Sequence, residues 1–151
     1  MTNKIIGIQG DKLDKINISS DTSIFLAYEA QKLGYKIFYN PPSNLSIIKN
    51  KTYANGVFVK LNYESKKFYK IYKKKKIDVE NLKFILIRQD PPFNSEYLIT
   101  TLILDDLKKT RVINNPVAIR NVSEKLYSKK FTKYMPDTIF SNNIEEVKKF
   151  Y

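Results

Sequence analysis

Lys4-Ile5-Ile6-Gly7-Ile8-Gln9-Gly10, the run from Asp21-Thr22-Ser23 to Leu33-Gly34, and Tyr35-Lys36-Ile37-Phe38-Tyr39 ahead of Pro41-Pro42 together set the architecture. The first run is short, rich in β-branched residues and closed by glycine, which reads as a buried strand. Asp21 or Ser20 can cap a helix over Thr22–Leu33, with Ile24, Leu26, Ala27, Tyr28, Ala30 and Leu33 expected on its buried side. Gly34 stands where a left-handed C-terminal cap belongs. Tyr35–Tyr39 is then a second strand, stopped by the two prolines. A strand–helix–strand unit of this kind crosses over right-handed and leaves its strands parallel.

The same alternation returns further on. Phe84–Ile87 is a third buried strand, Asn94 or Ser95 caps a helix over Glu96–Lys109, and Arg111–Asn114 is a fourth strand ended by Pro116. Between the two halves lie short strands at Ser46–Ile48, Thr52–Ala54 and Val57–Val59. Asn55-Gly56 reads as a type I′ turn, which makes this region a β-hairpin insertion. Lys66–Lys76 mixes Phe68, Tyr69, Ile71 and Tyr72 with lysines. It reads as a lysine-protected edge strand in preference to a basic, aromatic-studded patch for nucleic acid. After a boundary near 115–122, Asn121 or Ser123 opens a helix with Leu126, Tyr127 and Phe131. Pro136 breaks it, Thr138–Phe140 is a strand, and Asn142 with Glu145 forms a capping box. The helical pattern is still running at Tyr151, which reads as a truncation.

A chain of 151 residues is one domain, or one domain and part of a second. With 42% hydrophobic and 28% charged residues it has the composition of a globular protein. It contains no cysteine and no histidine, which excludes disulfides, thiol nucleophiles and imidazole acid–base pairs. The net charge of +12 comes from 24 lysines and only 3 arginines. Lys, Ile, Asn, Tyr and Phe make up 77 of the 151 residues. All five have A- and T-rich codons, so the charge follows base composition more than a polyanionic partner, and no specific nucleic acid is expected. No run approaches the ~18 apolar residues of a membrane span, and the first residues lack a signal-peptide pattern. A cytoplasmic protein without a membrane partner is expected.

Ligands of open α/β sheets bind at the carboxyl ends of the parallel strands, here Gln9-Gly10, Arg88-Gln89-Asp90 and Asn114-Asn115. Arg88 directly follows four apolar residues, so its guanidinium emerges at the sheet edge as a carboxylate fork. Two readings of it stand side by side: a ligand contact, or a structural pair with Asp90 that fixes the loop. Ser19–Ser23, with Asp21 at its centre, either caps the first helix or also offers hydroxyls and N–H groups to an anion. Asp105-Asp106 reads as a solvated face, and Lys125 by itself as a surface lysine. There is no glycine-rich phosphate loop, no clustered metal carboxylates and no catalytic residue.

Ile87-Arg88-Gln89-Asp90-Pro91-Pro92-Phe93-Asn94-Ser95-Glu96-Tyr97 resembles the R-x-D-P-P-F-[DN]-[ST]-E-[FY] segment of bacterial glutathione synthetases. In the same order, Ile16-Asn17-Ile18 with Asp21-Thr22-Ser23, Glu29–Tyr35, Asn114–Arg120 and Glu124-Lys125-Leu126 are similar to further segments of that family. The resemblance implies a Rossmann-like pre-ATP-grasp domain over 1–119, followed by the truncated start of an ATP-grasp domain over 120–151. It further implies ligation of γ-glutamylcysteine to glycine with ATP and Mg²⁺, through an acyl phosphate, in a homo-oligomeric full-length protein. By the resemblance Arg88, Asp21, Ser23 and Asp90 line the dipeptide or glycine pocket, and Lys125 contacts the nucleotide. Ser123 and Gln89 depart from the family's usual Asn and Lys. The glycine-rich lid, a second nucleotide lysine and the metal carboxylates have no counterpart in this chain, which alone is expected to be catalytically incomplete. The alternatives are a basic nucleic-acid-binding module using the Lys66–Lys76 patch and the N-terminal part of another ATP-grasp carboxylate–amine ligase.

Overall fold

The computed structural model describes residues 4–65, 67–122 and 125–151. Its centre is the expected parallel unit: β1 (Ile5–Gly10), α1 (Thr22–Lys32), β2 (Lys36–Asn40), and later β6 (Phe84–Arg88), α2 (Ser95–Asp105) and β7 (Arg111–Ile113). Strands β2, β1, β6 and β7 run parallel in that order, with Ile8 opposite Tyr39 on one side and Leu86 on the other. Side chains alternate between the faces of a strand, and two cores result. Ile6, Ile8, Ile37 and Leu86 pack with Ile24 and Ala27 of α1. Phe38, Ile85 and Ile87 pack with Leu104 of α2. The molecule is therefore a mixed α/β domain with a mainly parallel, doubly covered sheet.

Asp21 caps α1 by accepting the Ile24 N–H at 2.7 Å, and Gly34 takes φ +84° just past its end. The helix buries a narrower stripe than its pattern predicts. Leu26 is half-exposed, and Leu33, which lies beyond the last helical residue, is 73% exposed. Helix α2 is capped by Asn94 and ends at Asp105, short of the expected Lys109. It stops there because the Glu80 carboxylate collects the N–H groups of Lys108, Lys109 and Thr110 at 2.6–2.9 Å and turns the chain into β7.

The insertion is organised differently from the expectation. β3 (Leu45–Ile48), β4 (Lys51–Leu61) and β5 (Tyr69–Asp78) add antiparallel strands to the sheet. The two-residue turn is Lys49-Asn50, with φ of 48° and 59° between the paired residues Ile48 and Lys51. Asn55-Gly56 is no turn, and β4 runs straight through it. Glycine is needed there for a close approach, since a Cβ on Gly56 would collide with the Tyr39 carbonyl and the Phe38 ring. Among the described residues β5 pairs only with β4, and it carries exposed lysines, an edge strand as expected.

Past β7 the chain departs further. Asn115 caps an unexpected short helix, α3 (Pro116–Asn121), in which Pro116 opens the first turn instead of merely ending the strand. The expected helix of Leu126, Tyr127 and Phe131 is a 3-10 run over Leu126–Tyr134, kinked at Phe131 and with no residue buried. A segment without a packed face lacks the tertiary support that extends helices. Its proposed opening residue Ser123 lies outside the described residues. Thr138–Phe140 forms no strand, the Thr138 hydroxyl turning back to the Pro136 carbonyl at 2.7 Å. The last helix, α4 (Ile144–Phe150), is capped by Asn143 and not Asn142.

Candidate carboxylate-binding cleft

A cleft of about 640 Å³ opens at the carboxyl ends of β1, β2 and β6, where the crossover topology brings the loops after the strands together. Arg88 is the last residue of β6, in register with Gly10 of β1. Its Nε donates to Ser23 Oγ at 2.9 Å and its Nη2 to Thr22 Oγ1 at 2.6 Å. Both acceptors are neutral hydroxyls in the first turn of α1. Among the described residues Arg88 makes no ion pair, with Asp90 or any other acid. The structural-pair reading of Arg88 and Asp90 therefore fails. The guanidinium is oriented by two hydroxyls without an ion pair, and the N-terminal end of α1 adds its own partial positive charge. A guanidinium so oriented can pair with a carboxylate, and Asp11, Asp21, Asp90 and Glu96 line the same cleft.

The structure brings Asp21, Ser23, Arg88 and Asp90 to one cleft. Asp21 spends one oxygen on the cap. Asp90 is held by its backbone, whose N–H donates to Asp11 Oδ2 at 3.2 Å. The Asp11 carbonyl in turn accepts the Tyr39 hydroxyl at 2.7 Å. Burial pushes the Tyr39 phenol well above its ordinary pKa, and the carboxylates of Asp21, Asp11 and Asp90 add to the rise. Asp11, Lys12, Lys15, Tyr39 and Glu96 also line the cleft and were not identified from the sequence. Asp11 alone carried a signal, as the residue directly after the glycine that closes β1.

Lys125 is not in this cleft. It lines a separate groove of about 500 Å³ beyond the proline loop, with Pro91, Phe93, Tyr97, Ile119, Arg120 and Val122. Arg120 is committed to Asp105 of α2 at 2.6 Å, and Asp106 forms a solvent-exposed pair with Lys108 at 3.4 Å. Among the described residues no group of three or more Asp, Glu, His or Cys could hold a metal ion. No helix among them is long and apolar enough to cross a membrane.

The family model of the prokaryotic glutathione synthetase N-terminal domain matches residues 5–120. The chain is 35% identical to a glutathione synthetase of Mesorhizobium japonicum over 146 residues, which are 96% of the chain and 47% of that protein. It is 35% identical over 148 residues to one from Buchnera aphidicola subsp. Acyrthosiphon pisum, covering 97% of the chain and 46% of the relative. With one from Wigglesworthia glossinidia brevipalpis the identity is 36% over 138 residues, covering 90% and 43%. The chain thus spans about half the length of the curated relatives it matches.

Proposed function

Because the chain belongs to the prokaryotic glutathione synthetase family, we propose that it is the substrate-side part of an ATP-dependent carboxylate–amine ligase that joins γ-glutamylcysteine to glycine. The observation that carries this reading is Arg88, held by Thr22 and Ser23 without an ion pair at the mouth of a strand-end cleft. In it Arg88 grips a carboxylate of γ-glutamylcysteine or of glycine. Ser23 and Thr22 fix the fork, and Asp21 and Asp90 border the pocket.

ATP and Mg²⁺ belong to that reaction. The described residues supply no metal cluster, and the groove of Lys125 offers one further cation and otherwise mainly apolar walls. They do not fit a magnesium-nucleotide, and no step through that group is assigned to this chain. Lys125 is proposed as a single nucleotide contact, completed by groups outside these 151 residues. The division into 1–119 and 120–151, a homo-oligomeric state, a cytoplasmic location and the lack of specific nucleic-acid or membrane partners belong to the same proposal.

The test is a titration of the chain with γ-glutamylcysteine, and separately with glycine, followed by amide and guanidinium NMR shifts. Shifts centred on Thr22, Ser23 and Arg88 that vanish in Arg88→Ala are expected. Shifts elsewhere, or a titration unchanged by Arg88→Ala, overturn the assignment.

A further inference from the structure

Three carboxamides stand together at the carboxyl ends of β2, β1 and β6. Asn40 closes β2 and lies opposite Gln9 of β1, while Gln89 directly follows Arg88, the last residue of β6. Asn40 and Gln9 are wholly buried and Gln89 nearly so. Alternation along the strands puts Asn40 and Gln9 on the face of Phe38, Ile85 and Ile87, beneath α2. There the Gln9 side-chain N–H donates to the Gln89 side-chain carbonyl, joining residues 80 apart in sequence. The Arg88 side chain takes the other face, toward Thr22 and Ser23 at the start of α1.

We infer that Gln9 and Gln89 are positioning residues for the Arg88 guanidinium, a strut that acts on it from the opposite side of the sheet. The inference rests on the proposed function for the role of the cleft and adds to it the groups that aim its arginine. The first support is where the strut lies. The β1–β6 ladder ends at the pair Gly10 and Arg88, and beyond it the chains part into the loops of Asp11 and Asp90. One link past that point is the exposed bond from the Asp90 N–H to Asp11 Oδ2, at 3.2 Å, which water competes for. The other is the buried amide pair. Arg88 is thus held by the ladder before it and by Gln89 after it.

The second support is the geometric demand on Arg88. Its Nε must meet Ser23, its Nη2 must meet Thr22, and the remaining N–H groups must still face a carboxylate. A planar fork with two bonds already fixed tolerates little movement of its own backbone.

The third support is energetic. Gln9 Oε1 and Asn40 Oδ1 have no partner among the described residues, and an unpaired buried acceptor works against folding. Apolar side chains of equal length would fill the same space without that cost. Stability therefore does not account for amides at these positions, whereas a bond across the two strand ends beneath the cleft does.

The experiment compares the wild-type chain with Gln9→Met/Gln89→Met, which keeps side-chain length and removes both amides. Its urea midpoint is expected to equal or exceed that of wild type. Hydrogen exchange at the Arg88 Nε–H, read by NMR without ligand, is expected to quicken by roughly tenfold as the fork loosens. Where wild type binds γ-glutamylcysteine, the double variant is expected to bind it about threefold to tenfold more weakly. Gln89→Glu keeps an acceptor for the Gln9 N–H and is expected to leave Arg88 exchange within about twofold of wild type.

Arg88 exchange or ligand affinity unchanged in the double variant overturns the strut. So does a fall in stability large enough to explain the faster exchange, since the pair would then only hold the fold. Exchange in Gln89→Glu as fast as in the double variant also overturns it. The exchange is measured on the free chain and judges the strut by itself. A wild-type chain that ignores γ-glutamylcysteine counts against the proposed function instead.

Discussion

The hydroxyl of Tyr39 donates to the backbone carbonyl of Asp11 at 2.7 Å, tying the end of β2 to the loop after β1. Asp11 then receives the Asp90 N–H on its carboxylate, so one buried phenol braces three loops at the cleft rim.

Tyr39→Phe removes that brace and is expected to cost about 0.5–1.5 kcal/mol, read as a shift of the urea midpoint at constant m-value. The pH dependence gives a second readout. The folded state holds the Tyr39 proton more tightly than the unfolded chain, whose tyrosines titrate near 10.0. This contribution to stability is complete below that pH and is lost as pH rises above it. Denaturation from pH 8 to 11 should therefore show an alkaline decline that is shallower in Tyr39→Phe. An identical decline in both proteins would remove Tyr39 as its source.

At Arg88, Arg88→Ala is expected to lower affinity for the carboxylate ligand about tenfold or more, the loss of a charged contact worth roughly 1.5–3 kcal/mol. Ser23→Ala and Thr22→Val leave the charge but loosen the fork, and each should cost about twofold to tenfold. Arg88→Lys should not restore binding, because a point charge cannot satisfy both hydroxyls and a carboxylate. Isothermal titration of the four variants checks the ranking.

Glu80 is the acid-sensitive element. Desolvation pushes its carboxyl up, but the N–H groups of Lys108, Thr110 and Lys109 together outweigh this and hold it below the ordinary value of 4.5. Its contribution is present above that pH and is lost as pH falls through the lower, folded value. Glu80→Gln should flatten the acid limb of the stability curve and speed amide exchange at Lys108–Thr110. Exchange unchanged at those three amides would show that another group ends α2.

Gly56→Ala should destabilise by about 1–3 kcal/mol, because the added Cβ has no room beside Phe38 and Tyr39. Asn50→Gly, at the true turn, should be tolerated, since glycine suits the positive φ of a type I′ turn. Chemical denaturation of both variants separates the two positions.

The contrast at Gly56 shows what the sequence made legible. The parallel unit could be read because apolar runs, the Asp21 and Asn94 caps and Gly34 all agree locally with the fold. Asn55-Gly56 carries the strongest short-range turn signal in the insertion. Yet its glycine serves a contact with β2, a strand distant in sequence, while the plainer Lys49-Asn50 makes the turn. Burial on α1 failed at Leu26 and Leu33 because periodicity does not reveal how wide a stripe the neighbouring sheet can cover. In the cleft, Arg88 was singled out from its position at a strand end, whereas Ser23 read locally as part of a helix cap and was placed in a pocket only by the family resemblance. Asp11, Tyr39 and Glu96 reach it only through the juxtaposition of three loops, which no local pattern records. Over Leu126–Tyr134 the pattern promised a helix, but with no face to pack on, the chain takes a kinked 3-10 run, whereas the last expected helix forms at Ile144–Phe150.

β4 pairs with β3 along its first half, with β2 around Phe58 and with β5 along most of its length. The insertion is therefore not a module that could be cut away. Shortening it to a tight loop would strip β2 of its outer neighbour and leave the Tyr39 end of the cleft on a raw sheet edge. For anyone reshaping this protein, the place to splice in foreign sequence is the Lys49-Asn50 tip, where the chain reverses in solvent and both flanking strands keep their partners.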